Sequence, residues 1–150
     1  MACTAEPLVN RPDLTGLNIL VVDDNPDSRE SLAMLLELYG ASVIAADSAR
    51  KALQVLEHCI PDVLLSDIAM PGEDGYALIR KVRDLPRERG GSVPAAAVTA
   101  RVGAEDRHRV LAAGFQAHVP KPIDATELAV VVAQLGGLSV PPIPARPLPA

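Results

Sequence analysis

From Leu17 onward, short apolar runs alternate with longer stretches whose apolar residues recur at helical spacing. "LNILVV" (17–22) has the length and composition of a strand. "PDSRESLAMLLELYG" (26–40) opens on Pro26 at a first helical position and closes on Gly40, the usual start and stop of a helix. Leu32, Leu35, Leu36 and Tyr39 share one face of it. "ASVIAA" (41–46) is a second strand. "SARKALQVLEHC" (48–59) is a second helix, capped by Ser48, with Ala52, Val55, Leu56 and Cys59 inward. "DVLLSD" (62–67) and "DGYALIRKVRDL" (74–85) repeat the pair, with Tyr76, Leu78, Ile79 and Val82 inward. After a polar turn at 87–92, "PAAAVTA" (94–100) is a fourth strand, weak by propensity because alanine dominates it. A helix over 103–114, a strand over 116–120 and a helix over 124–136 complete the series.

Five strands alternating with five helices predict an α/β fold: a doubly wound, five-stranded parallel sheet covered on both faces. Residues 1–15 read as a flexible N-terminal tail, 16–136 as the folded domain and 137–150 as a Pro-rich C-terminal tail. Sheets of this kind bind ligands at the carboxyl ends of their strands, where strand order reverses.

That edge collects the polar residues of the pattern. Asp23 and Asp24 end the first strand and Asp67 ends the third. In a sheet of order 2-1-3-4-5 these strands are neighbours, so three carboxylates converge. Close anions raise one another's pKa values unless a cation is present. Mg2+ suits such a site, since it takes one or two carboxylates, waters and a phosphate. Asp23 and Asp24 also fit a second role, as caps of the first helix. Thr99 ends strand four, where its hydroxyl can donate to an anion. Lys121 follows strand five and can reach the same anion as a point charge.

Composition narrows the classes of partner. Tyr39, Tyr76 and Phe115 are the only aromatic residues, which disfavours nucleic-acid binding by base stacking. A net charge of −5 disfavours a phosphate-backbone partner. Cys3 and Cys59 are too few for a disulfide framework, and His58 beside Cys59 has no second cluster to complete a metal site. The N-terminus lacks the basic and apolar regions of a signal peptide, and no apolar run reaches membrane-spanning length. A cytoplasmic protein is the expectation.

"VVDDN", "SDIAMPGEDGYAL", "AVTA" and "KPI", in that order and on those elements, resemble the receiver domain of two-component response regulators over residues 16 to 136. The resemblance implies a flavodoxin-like receiver fold of order 2-1-3-4-5, with Asp67 as phosphoacceptor for a phosphoryl group from a kinase phosphohistidine. It implies Mg2+ bound by Asp23, Asp24, Asp67 and the backbone carbonyl of Ala69. Thr99 would bond a phosphoryl oxygen and act as the switch, while Lys121 would pair with Asp67 and then with the phosphoryl group. The Lys121–Pro122 peptide would be cis. The partner would be a histidine kinase or phosphotransfer protein, and a phosphorylation-dependent dimer is compatible with the family. Such a domain is a signalling module that catalyses its own phosphorylation and dephosphorylation.

Two departures stand out. His118 occupies the place of an aromatic, three residues before the lysine, that swings in behind the threonine. Its polar, titratable ring would weaken that gating or couple it to pH. Ala69 and Arg101, each two residues beyond a site residue, would tune the lifetime of the phosphate. Alternative readings are an aspartate-nucleophile hydrolase, which wants a second acid where Ala69 stands, a flavodoxin-like binding module, and a degenerate receiver that only binds partners. "LTGLNILVVDDNPDSRESL" and "RERGGSVPAAAVTA" are similar to receivers attached to the C-terminal end of hybrid histidine kinases. About fourteen residues follow the last helix, too few for a DNA-binding output domain. The chain therefore reads as a stand-alone receiver or one taken from a longer protein.

Overall fold

A computed structural model of the protein describes residues 12–100 and 103–138. Arg101, Cys3 and the segments 1–11 and 139–150 lie outside the described residues, with the readings placed on them. The elements alternate as the pattern predicts: β1 (Asn18–Val22), α1 (Pro26–Leu38), β2 (Ser42–Ala46), α2 (Ala49–His58), β3 (Val63–Asp67), α3 (Gly75–Arg83), β4 (Ala95–Thr99), α4 (Ala104–Ala113), β5 (Ala117–Pro120) and α5 (Ala125–Leu135). A single turn of 3-10 helix at Arg87–Arg89 sits in the stretch read as a polar turn.

All strand pairs are parallel and the order is 2-1-3-4-5. Alternation along the strands feeds two cores. Leu20, Val22, Leu64, Ala95 and Ala97 face α2, α3 and α4 through Ala52, Leu56, Tyr76, Ile79 and Val110. Ile19, Val21, Val63, Leu65, Ala96, Val98 and Val119 face α1 and α5 through Leu32, Leu36, Leu128, Ala129 and Val132. Parallel sheets need both faces covered, and every residue of β3 and β4 is buried. That burial, with β3 and β5 paired on either side, overrides the poor strand propensity of the alanines in β4.

Four helices start on a side-chain cap. Asn25, Ser48, Asp74 and Asp124 accept from the N–H groups of Ser28, Lys51, Ala77 and Glu127. Such a cap contributes about 1 kcal/mol and fixes where the helix begins. Each of these helices follows a strand, so the capped ends lie at the carboxyl edge of the sheet.

Two side chains depart from the sequence reading. Leu14, placed in the tail, is fully buried, and its N–H donates to the Tyr39 carbonyl at 2.8 Å. Cys59, read as inward on α2, is exposed. It is the C-cap of that helix with extended backbone (φ −157°), so the helical face ends before reaching it.

At the opposite edge of the sheet, Arg83 ties four elements together. Its Nε donates to the Gly114 carbonyl, one Nη to the Gly91 carbonyl and the other to Gln116 Oε1, all at 3.0 Å. Gln116 Oε1 also accepts from the Ala95 N–H at 2.8 Å, at the start of β4. Burial lowers the pKa of this guanidinium from its ordinary value. At the same edge Leu17 packs on Gly136, where a Cβ would stand 2.8 Å from both leucine methyls.

Candidate functional site

Strand register brings the predicted polar residues to one height. Val22 lies opposite Ser66, Asp67 opposite Val98, and Thr99 opposite Pro120. Asp23 therefore falls level with Asp67, and Thr99 and Lys121 each stand one step beyond the paired residue. Oxygen atoms of Asp23, Asp24 and Asp67 all lie within 4.8 Å of one another. Lys121 Nζ is 3.6 Å from Asp67 Oδ2, and its backbone N–H donates to the Thr99 carbonyl at 2.9 Å. The Lys121–Pro122 bond is cis. Asp23, Asp67 and Thr99 are buried, Asp24 is exposed and Lys121 is half-buried.

Asp23 is held on three sides. Its N–H donates to the Ala46 carbonyl at 3.1 Å. Its Oδ1 accepts from the Asn25 N–H at 2.9 Å. Its backbone carbonyl accepts from an Arg29 Nη at 2.9 Å. The remaining atom, Oδ2, is buried and has no hydrogen-bond partner among the described residues. Burial holds the carboxyl above its ordinary range, the Asn25 N–H opposes this, and the neighbouring Asp67 adds to it. A buried carboxylate oxygen left unmet costs free energy, and a bound cation answers that cost. The donors are all oxygen, a set that suits a hard ion such as Mg2+ rather than a thiolate-seeking metal. Asp23 and Asp24 do not cap α1: Asn25 does, and Pro26 opens the helix behind it.

Close packing of α3 shapes the other wall. The Ser66 hydroxyl donates to the Asp67 carbonyl at 2.9 Å, and the Gly75 N–H donates to the Ile68 carbonyl at 2.9 Å. A Cβ on Gly75 would overlap the Asp67 carbonyl oxygen and stand 2.9 Å from the Ile68 Cα. Only glycine lets the helix start this close to the end of β3.

Ala69 is exposed beside the cluster. With Thr99, Met70, Tyr76, Asp106 and Arg109 it lines a cavity of about 280 Å³ between α3 and α4. The Arg109 guanidinium lies 4.6 Å from the Tyr76 ring centre and closes that cavity as a cation–π contact. His118 is half-buried in β5, opposite Ala97 and on the face away from buried Val119. Its Cβ thus points to the α4 side, the side of Thr99's cavity. A larger concavity, about 1040 Å³ between α2 and α3, contains none of these residues. Asn25 and Arg29 were not singled out by sequence. Asn25 carries a signal, as a capping residue directly before a helical proline; Arg29 carries none, because it binds a backbone carbonyl.

Similarity to known proteins agrees with this geometry. A family model for the response regulator receiver domain matches residues 19–133. An uncharacterized 14.6 kDa protein of Leptolyngbya boryana is 46% identical over 121 residues, covering 81% of this chain and 91% of that protein. The sensor histidine kinase GacS of Pseudomonas protegens is 35% identical over 123 residues, covering 81% of this chain but 13% of the kinase. Among solved structures, the receiver domain of a sensor histidine kinase from Pseudomonas aeruginosa has a magnesium ion coordinated in its active-site cleft. It superposes with a TM-score of 0.74 at 31% identity, covering 82% of this chain and 99% of that one. Since the family match runs from β1 into α5 and takes in every strand end that carries the acid cluster, its threonine and its lysine, the chain belongs to the response regulator receiver domain family of two-component signalling.

Proposed function

We propose that Asp67 of this receiver accepts a phosphoryl group from a phosphohistidine on a histidine kinase or phosphotransfer protein. Mg2+ would be held by Asp23, Asp24, Asp67 and the backbone carbonyl of Ala69. The observation that carries the reading is the unmet, buried Oδ2 of Asp23 beside two more carboxylates within 4.8 Å. Without a cation that grouping repels itself. When bound, Mg2+ supplies positive charge against the oxygens of the transferring group.

The chain's own residues do the rest. An Asp67 oxygen attacks phosphorus while the bond from phosphorus to the donor imidazole nitrogen breaks. The imidazole leaves with the bonding pair and takes up a proton. Lys121, already beside Asp67 Oδ2, pairs with the phosphoryl oxygens as the negative charge moves onto them. The Thr99 hydroxyl donates to one of those oxygens. Water attack on phosphorus later releases phosphate and restores the carboxylate. The signal passes from Thr99 to α4 and His118. A single residue of α4, Val110, is buried, so shifting that helix displaces little packed surface. Ala69 and Arg101 set the phosphate lifetime. The module works in the cytoplasm, and its likeness to a sensor kinase favours a kinase-linked relay.

Labelling with a radioactive acyl phosphate tests the assignment. Wild type should take up hydroxylamine-sensitive label in Mg2+, and Asp67→Asn should take up none, because the amide cannot form the acyl phosphate. Undiminished labelling of the variant would remove Asp67 from the role.

A further inference from the structure

We infer that Arg29 is a positioning residue for the cation: by gripping the Asp23 backbone carbonyl it aims the Asp23 and Asp24 carboxylates, and so raises Mg2+ affinity although it is itself positively charged. The inference rests on the reading of the acid cluster as a Mg2+ site. Arg29 stands in the second turn of α1, half-buried, with one Nη 2.9 Å from the Asp23 carbonyl oxygen. That carbonyl belongs to the peptide joining Asp23 to Asp24. Holding its oxygen restrains the plane of that peptide, and with it ψ of Asp23 and φ of Asp24, the two rotations that set how the Cα–Cβ bonds of both residues leave the chain.

The other two tethers of Asp23 are an N–H bond to Ala46 and a bond from the Asn25 N–H. Both use backbone N–H groups, so no side-chain substitution deletes those donors. Arg29 is the side-chain tether. Its position is odd on electrostatic grounds, because a guanidinium near a cation site opposes the cation. Part of its charge is answered by Asp47. Asp47, just past β2, is held below its ordinary pKa first by its bond to Lys51 and also by the field of Arg29. A planar fork is also rigid, which suits the holding of one oxygen in one place.

The two influences of Arg29 on Mg2+ have opposite signs, so the experiment is decisive. Mg2+ binding is followed by amide shifts of the 23–24 turn in NMR titrations of wild type, Arg29→Met and Arg29→Lys. If charge alone mattered, Met would tighten binding and Lys would match wild type. If the grip on the carbonyl dominates, Met loosens binding about tenfold or more, the usual effect of losing an outer-shell partner. Lys then recovers part of the loss while restoring the unfavourable charge. The expected order is wild type, then Lys, then Met. Met binding Mg2+ as tightly as wild type, or more tightly, would overturn the inference. Circular dichroism melts without Mg2+ confirm folding, and if the Met variant does not fold, the Lys variant decides: affinity equal to wild type overturns the inference, weaker binding supports it. Wild type showing no Mg2+-dependent shifts would sink the cation reading and this inference with it, a result plainly different from reordered affinities.

Discussion

Replacing Asp23 by asparagine should stabilise the cation-free protein and blunt its response to Mg2+. Asn keeps the shape of the side chain and the Oδ1 acceptor that meets the Asn25 N–H at 2.9 Å. It removes the negative charge from a fully buried group whose Oδ2 is unmet. An unsatisfied buried acceptor costs about 1–3 kcal/mol, and the amide NH2 that replaces it is a donor facing the carboxylates of Asp24 and Asp67. Repulsion from Asp67 within 4.8 Å adds to that, but Lys121 at 3.6 Å already answers much of the Asp67 charge. A net gain of about 1–2 kcal/mol in EDTA follows, or roughly 3–8 °C in melting temperature for a domain of this size. Mg2+ at ten times its dissociation constant should add about 1.4 kcal/mol to wild type. The variant should gain clearly less, so the two stabilities converge or cross as Mg2+ is raised. The pH dependence has a definite sign. The folded Asp23 pKa is raised from 3.8, so its favourable contribution is fully present below 3.8 and is lost as pH rises through the folded value. Cation-free wild type should therefore gain stability as pH falls through that window, while Asp23→Asn should not. Asp13 and Asp47, whose pKa values are lowered, lose their contributions only at still lower pH. Urea unfolding at several pH values, with EDTA or Mg2+, measures all of this. An Asp23→Asn protein less stable than wild type in EDTA, or equally responsive to Mg2+, would refute the reasoning.

Arg83→Met removes three bonds to Gly114, Gly91 and Gln116 and leaves their acceptors short of a donor. Release of the guanidinium's own desolvation offsets part of this, so a loss of about 2–3 kcal/mol is expected by urea unfolding, with Mg2+ affinity unchanged at the far edge; a change under 0.5 kcal/mol would count against the clamp. Gly75→Ala drives a methyl into the Asp67 and Ile68 backbone and should cost about 1–3 kcal/mol while slowing labelling by an acyl phosphate. A Gly75→Ala protein that keeps both its stability and its labelling rate would show that α3 can move away freely.

The sheet and the acid edge were legible because both are periodic signals. Apolar runs and caps located the strands, and a strand's end fixes where its last polar residue sits. Asp23, Asp24, Asp67, Thr99 and Lys121 converge because parallel register carries each strand end to the same height. Interactions with no periodic trace stayed hidden. Arg29 binds a carbonyl, a group every residue carries. Arg83 reaches partners 31 and 33 positions away through chain folding alone. Leu14 is an isolated apolar residue after Pro12, buried against a core built from distant parts of the chain and bonded through its N–H to the Tyr39 carbonyl. Cys59 was misplaced by extending helical spacing one residue past the point where the backbone turns extended.

The contact between Leu17 and Gly136 bears on how such a module is used. It brings the first strand's approach and the last helix's departure to one spot, on the side of the sheet away from the acid cluster. A unit whose two ends meet can be grafted onto either end of a host, or into one of its surface loops, without pulling its ends apart. That spot and Asp67 lie at opposite edges of the sheet. This fits the two relatives described above, where the matching stretch covers 91% of a small protein and 13% of a sensor kinase. The architecture keeps the junction of the domain's two ends apart from the acid cluster, so that one fold can be mounted in different hosts.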